Sequence, residues 1–340
     1  MGHEHLATAL SRHYGISPEF CSKYLLDNGI EAADPGSLEA FIEGLGETQR
    51  LYLDYALSTN RRGERVRTQF DVGAGAPHRR ILDIGCGQGG TVRAFAAAGQ
   101  EAVGIEIDPG LAEYARLNFG NKKGRIECLD ILQCNLEDLG TFDLILCSDV
   151  IEHVADPDRM IAITARLLRP GGTFVLQVPN KDSIHQVIAD GHFRIAGMTL
   201  LSRQEGRELK RHLQGWDDPY HHMGEHLALN HYLQHLRLNG LDPVVDSGPG
   251  ELAGSLSLFG QACEKIEFLL ADDKLSWFTS RELRRAFADY GQRFLAAYQQ
   301  AGVLGDASAF CRHYLEPTWT IRASKPGEQS WARRVRAAVS

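Results

Sequence analysis

Residues 80–90, reading RILDIGCGQGG, constrain the fold more than any other stretch. Ile81, Leu82 and Ile84 make a short apolar run of the kind that forms a buried strand. Glycines follow at 85, 87, 89 and 90, and then a helical stretch from Thr91 to Ala98. A strand that turns at once into a helix needs positive φ, and it leaves bare backbone against which a ligand can lie. Gly85, Gly87 and Gly90 fit G-x-G-x-x-G, while Gly85, Gly87 and Gly89 fit G-x-G-x-G. Asp83 helps to separate the two. A dinucleotide site usually has an apolar residue there, and a carboxylate suits a ligand with a cationic amine better than it suits a pyrophosphate.

From 79 to 180 the chain alternates strand and helix, which implies parallel strands with helices on both faces. Strands are expected at 80–85, 102–107, 125–129, 142–148 and 172–178, and helices at 90–98, 109–118 and 157–168. Arg169, Pro170, Gly171 and Gly172 read as the turn that closes the last helix. A helix at about 226–239 and a sixth strand at 241–246 follow. The alternation over 318–324 marks the last strand. Residues 1–76 read as a helical extension. Ser17 and Pro18 start one helix there, and Asn28 and Gly29 end it. A second runs from Ser37 towards Leu57, with Gly44 and Gly46 as its interruption. The expected organisation is this extension, a core over 77–249 with a lid insertion at 181–226, a helical insertion at 250–316, and the last strand and tail at 317–340. Leu283, Phe287, Tyr290, Phe294 and Tyr298 form an aromatic stripe in that insertion, which reads as core.

The bulk composition narrows the partners. Lys plus Arg number 36 and Asp plus Glu 44, for a formal charge of −8. Such a chain lacks the basic footprint of a nucleic-acid binder, and the arginines of 61–67 read as a solvated helix face. The seven cysteines contain no C-x-x-C pair. Cys128 and Cys147 fall in expected buried strands, and the usage is that of a reduced compartment. No apolar run approaches the ~20 residues of a membrane span. A cytoplasmic protein without a membrane or DNA partner is therefore expected, and a homodimer is left open.

Glu106 lies at the end of the second strand, 21 residues after Gly85. An acid at that distance is placed to bind both ribose hydroxyls of a nucleoside. Nicotinamide sites share the spacing, so it names a nucleoside and not a cofactor. The carboxylate at Asp83 adds the cationic amine, and together they point to S-adenosylmethionine (SAM). Asp83 to Gly89 resembles the first motif of the class I SAM-dependent methyltransferases. Glu152, His153 and Val154, then Leu168 to Gly172, then Val178, Pro179 and Asn180, resemble the ubiquinone-biosynthesis-like branch (methyltransferase types 11–12). This resemblance implies an α/β fold: a seven-stranded, doubly wound, mostly parallel Rossmann-like sheet with an antiparallel last strand, plus a helical N-terminal extension and helical insertions. It also implies cofactor contacts from Asp83, Gly85, Cys86, Gly87, Gln88, Gly89, Glu106, Ile107, Asp130, Ile131 and Ser148. Within that set Asp130 would accept from the adenine amino group and Ile131 would pack on the ring. Neither the Asn/Asp-Pro-Pro-Tyr pattern nor the Pro-Cys nucleophile of DNA base methylases is present.

His153 follows the fourth strand and is the first candidate for a general base, with a loop-orienting role as the equal alternative. The second candidate is the cluster His221, His222, His226, His231 and His235, in which His222/His226 and His231/His235 are i,i+4 pairs that face the same way if helical, and His222 and His226 stand with His153 as the catalytic candidates. No carboxylates with ligand spacing join these histidines, so no metal is expected. The leading reading is methyl transfer from SAM to a small molecule, most naturally at oxygen. A nicotinamide-dependent oxidoreductase and a SAM-fold binding protein without turnover are the alternatives.

Overall fold

Seven strands form one sheet: β1 (Arg80–Ile84), β2 (Glu101–Glu106), β3 (Gly124–Cys128), β4 (Phe142–Ser148), β5 (Leu168–Pro179), β6 (Asp242–Val245) and β7 (Thr318–Ser324). Their order is β3-β2-β1-β4-β5-β7-β6. The computed structural model describes residues 3–30, 37–71, 79–119, 124–215, 226–246, 248, 250–273 and 275–327. β2 and β4 both run parallel to β1, and β3 runs parallel to β2. β7 is antiparallel to β6 and lies between it and β5. The Rossmann-like sheet with a reversed last strand is thus as expected, and β7 covers the expected residues. Its alternation is real: Trp319, Ile321 and Ala323 are fully buried, while Arg322 and Ser324 are exposed.

The chain divides into two compact units, the first comprising 1–147 with 166–173. It opens with α1 (His3–Tyr14), α2 (Pro18–Asp27), α3 (Leu38–Gly44), α4 (Glu47–Leu57) and α5 (Thr59–Phe70). The Ser17 hydroxyl accepts the Phe20 N–H and Pro18 sits in the first turn, as the sequence predicts. The second expected helix is broken in two: Leu45 leaves the helix in an extended conformation and Gly46 caps α4. Leu6, Leu10, Phe20, Leu25, Leu53 and Leu57 share one core with Tyr114 of α7 (Pro109–Phe119). The Tyr114 hydroxyl donates to Asp27 at 2.6 Å.

Two departures have simple causes. β5 begins at Leu168, before the expected turn, and Arg169 there makes two bonds to the Asp143 carboxylate of β4, at 2.9 and 3.1 Å. Cys128, expected in a buried strand, is exposed because β3 is the edge of the sheet and buries only Ile126 well. Cys147 is buried, and all seven cysteines are free.

The second unit comprises 148–165 and 174–340. After the short α8 (Leu136–Leu139) of the first unit come α9 (Pro157–Leu167), α10 (Ile184–Ile188), α11 (Arg203–Gln214), α12 (Leu229–Leu238), α13 (Ser255–Leu270), α14 (Trp277–Leu304) and α15 (Ser308–Tyr314). The last three lie between β6 and β7 in the chain. Their stripe is core: Leu283, Tyr290 and Phe294 are fully buried and Phe287 and Tyr298 partly so, and Phe259 stacks on Phe294 while Phe310 and Tyr314 meet it edge-on.

The extension meets the core where α5 crosses α6 (Gly90–Ala97). Gly63 of α5 lies so close to Gly90 that a Cβ on it would sit 2.2 Å from the Gly90 carbonyl. Helix propensity alone favours alanine over glycine by up to ~1 kcal/mol, yet overpacking at such a crossing should cost about 1–3 kcal/mol. Gly63→Ala should therefore lower stability in urea titrations, and an unchanged or higher midpoint would remove this crossing from the account.

Candidate active site

β1 ends in Asp83 and Ile84, and the backbone then turns through Gly85, Gly87 and Gly89, all with positive φ (69°, 51° and 77°). The left-handed conformation thus belongs to the 85/87/89 set. Gly90 serves packing instead, since a Cβ on it would meet the Thr59 carbonyl oxygen at 2.1 Å. Gly85 and Cys86 both donate backbone N–H bonds to the Ile105 carbonyl, at 2.8 and 2.9 Å, which ties the turn to β2.

Glu106 closes this arrangement. One of its carboxylate oxygens accepts the Gly87 N–H at 2.8 Å and the other accepts the Asp108 N–H at 3.0 Å. Each oxygen keeps a second acceptor site. Asp83 lies beside it and is also buried. Burial first, and then the Glu106 charge, push the Asp83 carboxyl up to about 7, with the Thr91 hydroxyl working against the shift. The same burial and both carboxylates hold the Cys86 thiol far above its ordinary range.

Other residues of the expected set lie around these ends. Ile107 is 66% exposed, just past β2. Asp130 follows β3 and uses both oxygens locally, accepting from the Leu132 N–H and the Gln133 amide. Ile131 is buried. The Gln88 carbonyl accepts a bond from the Asn118 amide. Ser148 belongs to the second unit, where its hydroxyl donates to Gln177, which in turn donates to Thr320.

The second unit gathers a group of ionisable side chains after β4. Asp149 takes a left-handed backbone (φ 53°) and donates its N–H to the Gln177 carbonyl. Asp is one of the few residues that tolerate this conformation. The turn places Ile151–His153 in a short 3-10 segment, with Glu152 buried and His153 exposed. The His153 ring meets His192 edge-on at 5.1 Å, and His192 lies 5.9 Å from His226. His192 is presented by Asp190, whose buried carboxylate accepts the N–H groups of His192, Phe193 and Ile195. Desolvation and the neighbouring imidazoles push His226 down to about 4, and desolvation first, then His153, lowers His192.

His153 and His226 are thus brought together, by way of His192, which the sequence reading had not singled out. A histidine alone in an insertion carries no spacing signal. His222 lies outside the described residues. His226 precedes α12 and is not helical, so helical spacing does not govern it. Glu152 is the other residue that the sequence reading undervalued. It is 1% exposed, and neither carboxylate oxygen has a hydrogen-bond partner among the described residues. The carboxylate oxygens of Glu152 and the ring nitrogens of His153 and His192 offer ligand atoms within 4.8 Å of one another, so this group could hold a divalent cation.

The comparisons with known proteins bear on the first unit's strands and on this loop. Residues 82–176 match the family of methyltransferase domains, a span that holds Asp83, Glu106, Asp130, Glu152 and His153. By that match residues 82–176 are similar to a methyltransferase domain. The chain is 36% identical over 110 residues to a ubiquinone biosynthesis O-methyltransferase of Xanthomonas campestris, covering 31% of this chain and 45% of the relative. It is 33% identical over 118 residues to the protein of that name from Aromatoleum aromaticum, covering 33% and 49%. The chain thus spans about half the length of these curated relatives. A SAM-dependent methyltransferase structure from Archaeoglobus fulgidus aligns over 82% of this chain and all of its own, at 14% identity and a TM-score of 0.46.

SAM, the cofactor of such a domain, carries an ammonium and a sulfonium. Two buried carboxylates beside one glycine turn fit a cationic ligand, because burial and the Glu106 charge raise the cost of ionising Asp83 until a positive charge arrives. Gly87 adds room, since a Cβ there would meet nothing within 4 Å.

Burial, with the Asp149 charge adding to it, pushes the Glu152 carboxyl up to about 8. A folded pKa above the unfolded one gives a stability contribution that is full below the ordinary glutamate range and lost as pH rises through about 8. Glu152→Gln keeps the neutral shape at all pH values. Its urea stability should fall less than that of the wild type between neutral pH and about 8. Parallel pH profiles for the two proteins would show that Glu152 is not held neutral.

Proposed function

We propose that this chain transfers a methyl group from SAM to a small-molecule acceptor, at oxygen. The observation that carries the reading is the group of Glu152, His153, His192 and His226 on the loop that leaves β4 and on the insertion after β5. In open α/β sheets the loops at the carboxyl ends of the strands form the site. The name of the Xanthomonas relative, an O-methyltransferase, supports oxygen as the acceptor atom.

In this reading Asp83 receives the methionine ammonium, and the free acceptor sites of Glu106 receive the ribose hydroxyls. The turn of Gly85, Cys86, Gly87, Gln88 and Gly89 provides the bare backbone between them. Asp130 accepts from the adenine amino group, while Ile107 and Ile131 supply apolar surface for the ring and Ser148 lines the cofactor's edge. Bound there, SAM supplies an electrophilic methyl group on a sulfonium. The protein's own tasks are alignment and proton removal. Holding the acceptor oxygen in line is worth roughly 7–11 kcal/mol of barrier. His153 takes the hydroxyl proton as the oxygen attacks. His226, neutral because its pKa is pushed down to about 4, is a poor base and serves as a hydrogen-bond acceptor for the substrate. The free cysteines support a reduced compartment, the cytoplasm.

The test is kinetic, using labelled SAM and a panel of phenolic acceptors. His153→Ala should lower the maximal rate by ~10²-fold or more while SAM affinity stays within about threefold. A parallel fall in rate, SAM affinity and stability would make His153 a brace for its loop. A near-normal rate in a stable variant would remove the base role altogether.

A further inference from the structure

The histidine pair of α12 has a partner that sequence spacing could not supply. His231 and His235 lie one helical turn apart, so they share a face. The absence of a carboxylate at ligand spacing argues against a metal in the sequence. The fold corrects this by bringing in Asp158, 73 residues away, from the first turn of α9. Asp156 caps that helix through the Arg159 N–H, which leaves the Asp158 carboxylate free to reach α12.

The three side chains converge on one point. Asp158 Oδ1 is 2.7 Å from His231 Nε2 and 3.2 Å from His235 Nδ1. The two imidazoles stack at 4.3 Å with an interplanar angle of 14°. All three ligand atoms lie within 4.8 Å of one another. A tetrahedral zinc ion with bonds of about 2.0–2.1 Å separates its ligand atoms by about 3.3 Å. The two Asp158 contacts lie within about 0.6 Å of that separation. One divalent cation takes both nitrogen lone pairs and the carboxylate charge together. All three side chains are partly exposed, so an ion has a path in and water can complete the coordination.

We propose that Asp158, His231 and His235 form a binding site for a divalent transition-metal ion of the zinc class. Two imidazoles and one carboxylate select zinc, cobalt or nickel over magnesium and calcium, which prefer all-oxygen sets. The site joins the start of α9 to α12, within the second unit. It is independent of the methyl-transfer reading, because none of its residues is assigned a part in that reaction.

The experiment uses the full chain, stripped with chelator and titrated with Zn²⁺ alone, while bound metal and thermal midpoint are followed. The wild type should bind one equivalent more than His231→Ala/His235→Ala, and Zn²⁺ should raise the midpoint of the wild type more than that of the double variant. Asp158→Asn, a conservative change at a partly exposed position, should lose the same equivalent, and it decides the matter if the double variant does not fold. His192→Asn removes a ligand from the Glu152 group and should keep this equivalent. Co²⁺ in place of Zn²⁺ should give d–d bands without the thiolate charge-transfer band of a cysteine site. Equal zinc stoichiometry in the wild type and Asp158→Asn, or no zinc binding by the wild type, would overturn the proposal.

Discussion

The interaction on which the site depends is a repulsion. Asp83 and Glu106 end adjacent parallel strands, both buried, with their charges close enough to raise the Asp83 carboxyl. Burying one carboxylate is unfavourable, and burying two together is worse unless a cation or hydrogen bonds answer them. Glu106 is answered by two backbone N–H groups, which fixes its orientation. Asp83 is answered more weakly, by the Thr91 hydroxyl. In the proposed reading the turn between them receives a positively charged ligand, which glycines at positive φ let lie against backbone.

The N-terminal helices contribute to this turn through a buried polar chain. Asn60 of α5 donates to the Gly15 carbonyl at 2.8 Å and accepts from Asn118 of α7 at the same distance. Asn118 also donates to the Gln88 carbonyl, inside the turn itself. The bonds that these buried amides make rigidify what they connect, while the Asn118 Oδ1 has no hydrogen-bond partner among the described residues. The extension is thus tied to the glycine turn twice, by this chain and by the contact of Gly63 with Gly90.

Much of this was legible in the sequence because period and punctuation are local. The alternation of β7, the Ser17 cap and the glycine run each depend on neighbours within a few residues. Glu106 was legible because strand length fixes its distance from Gly85. What was not legible depends on long-range placement. Cys128 reads as buried until the sheet order puts β3 at the edge. β5 starts early because Arg169 finds Asp143 on another strand. Glu152 reads as one letter of a motif, and only the fold shows its carboxyl without a hydrogen-bond partner among the described residues. Asp158 and the α12 histidines are far apart in the chain, so no spacing could join them.

The account stands first on the turn after β1, since methyl transfer without SAM is meaningless. The most direct measurement is calorimetric titration of the full chain with S-adenosylhomocysteine and, separately, with NAD. The account predicts binding of S-adenosylhomocysteine and none of NAD, with Asp83→Ala and Glu106→Ala each weakening the former by roughly 1.5–3 kcal/mol. Tight NAD binding without S-adenosylhomocysteine binding, or unchanged affinity in both variants, would contradict it.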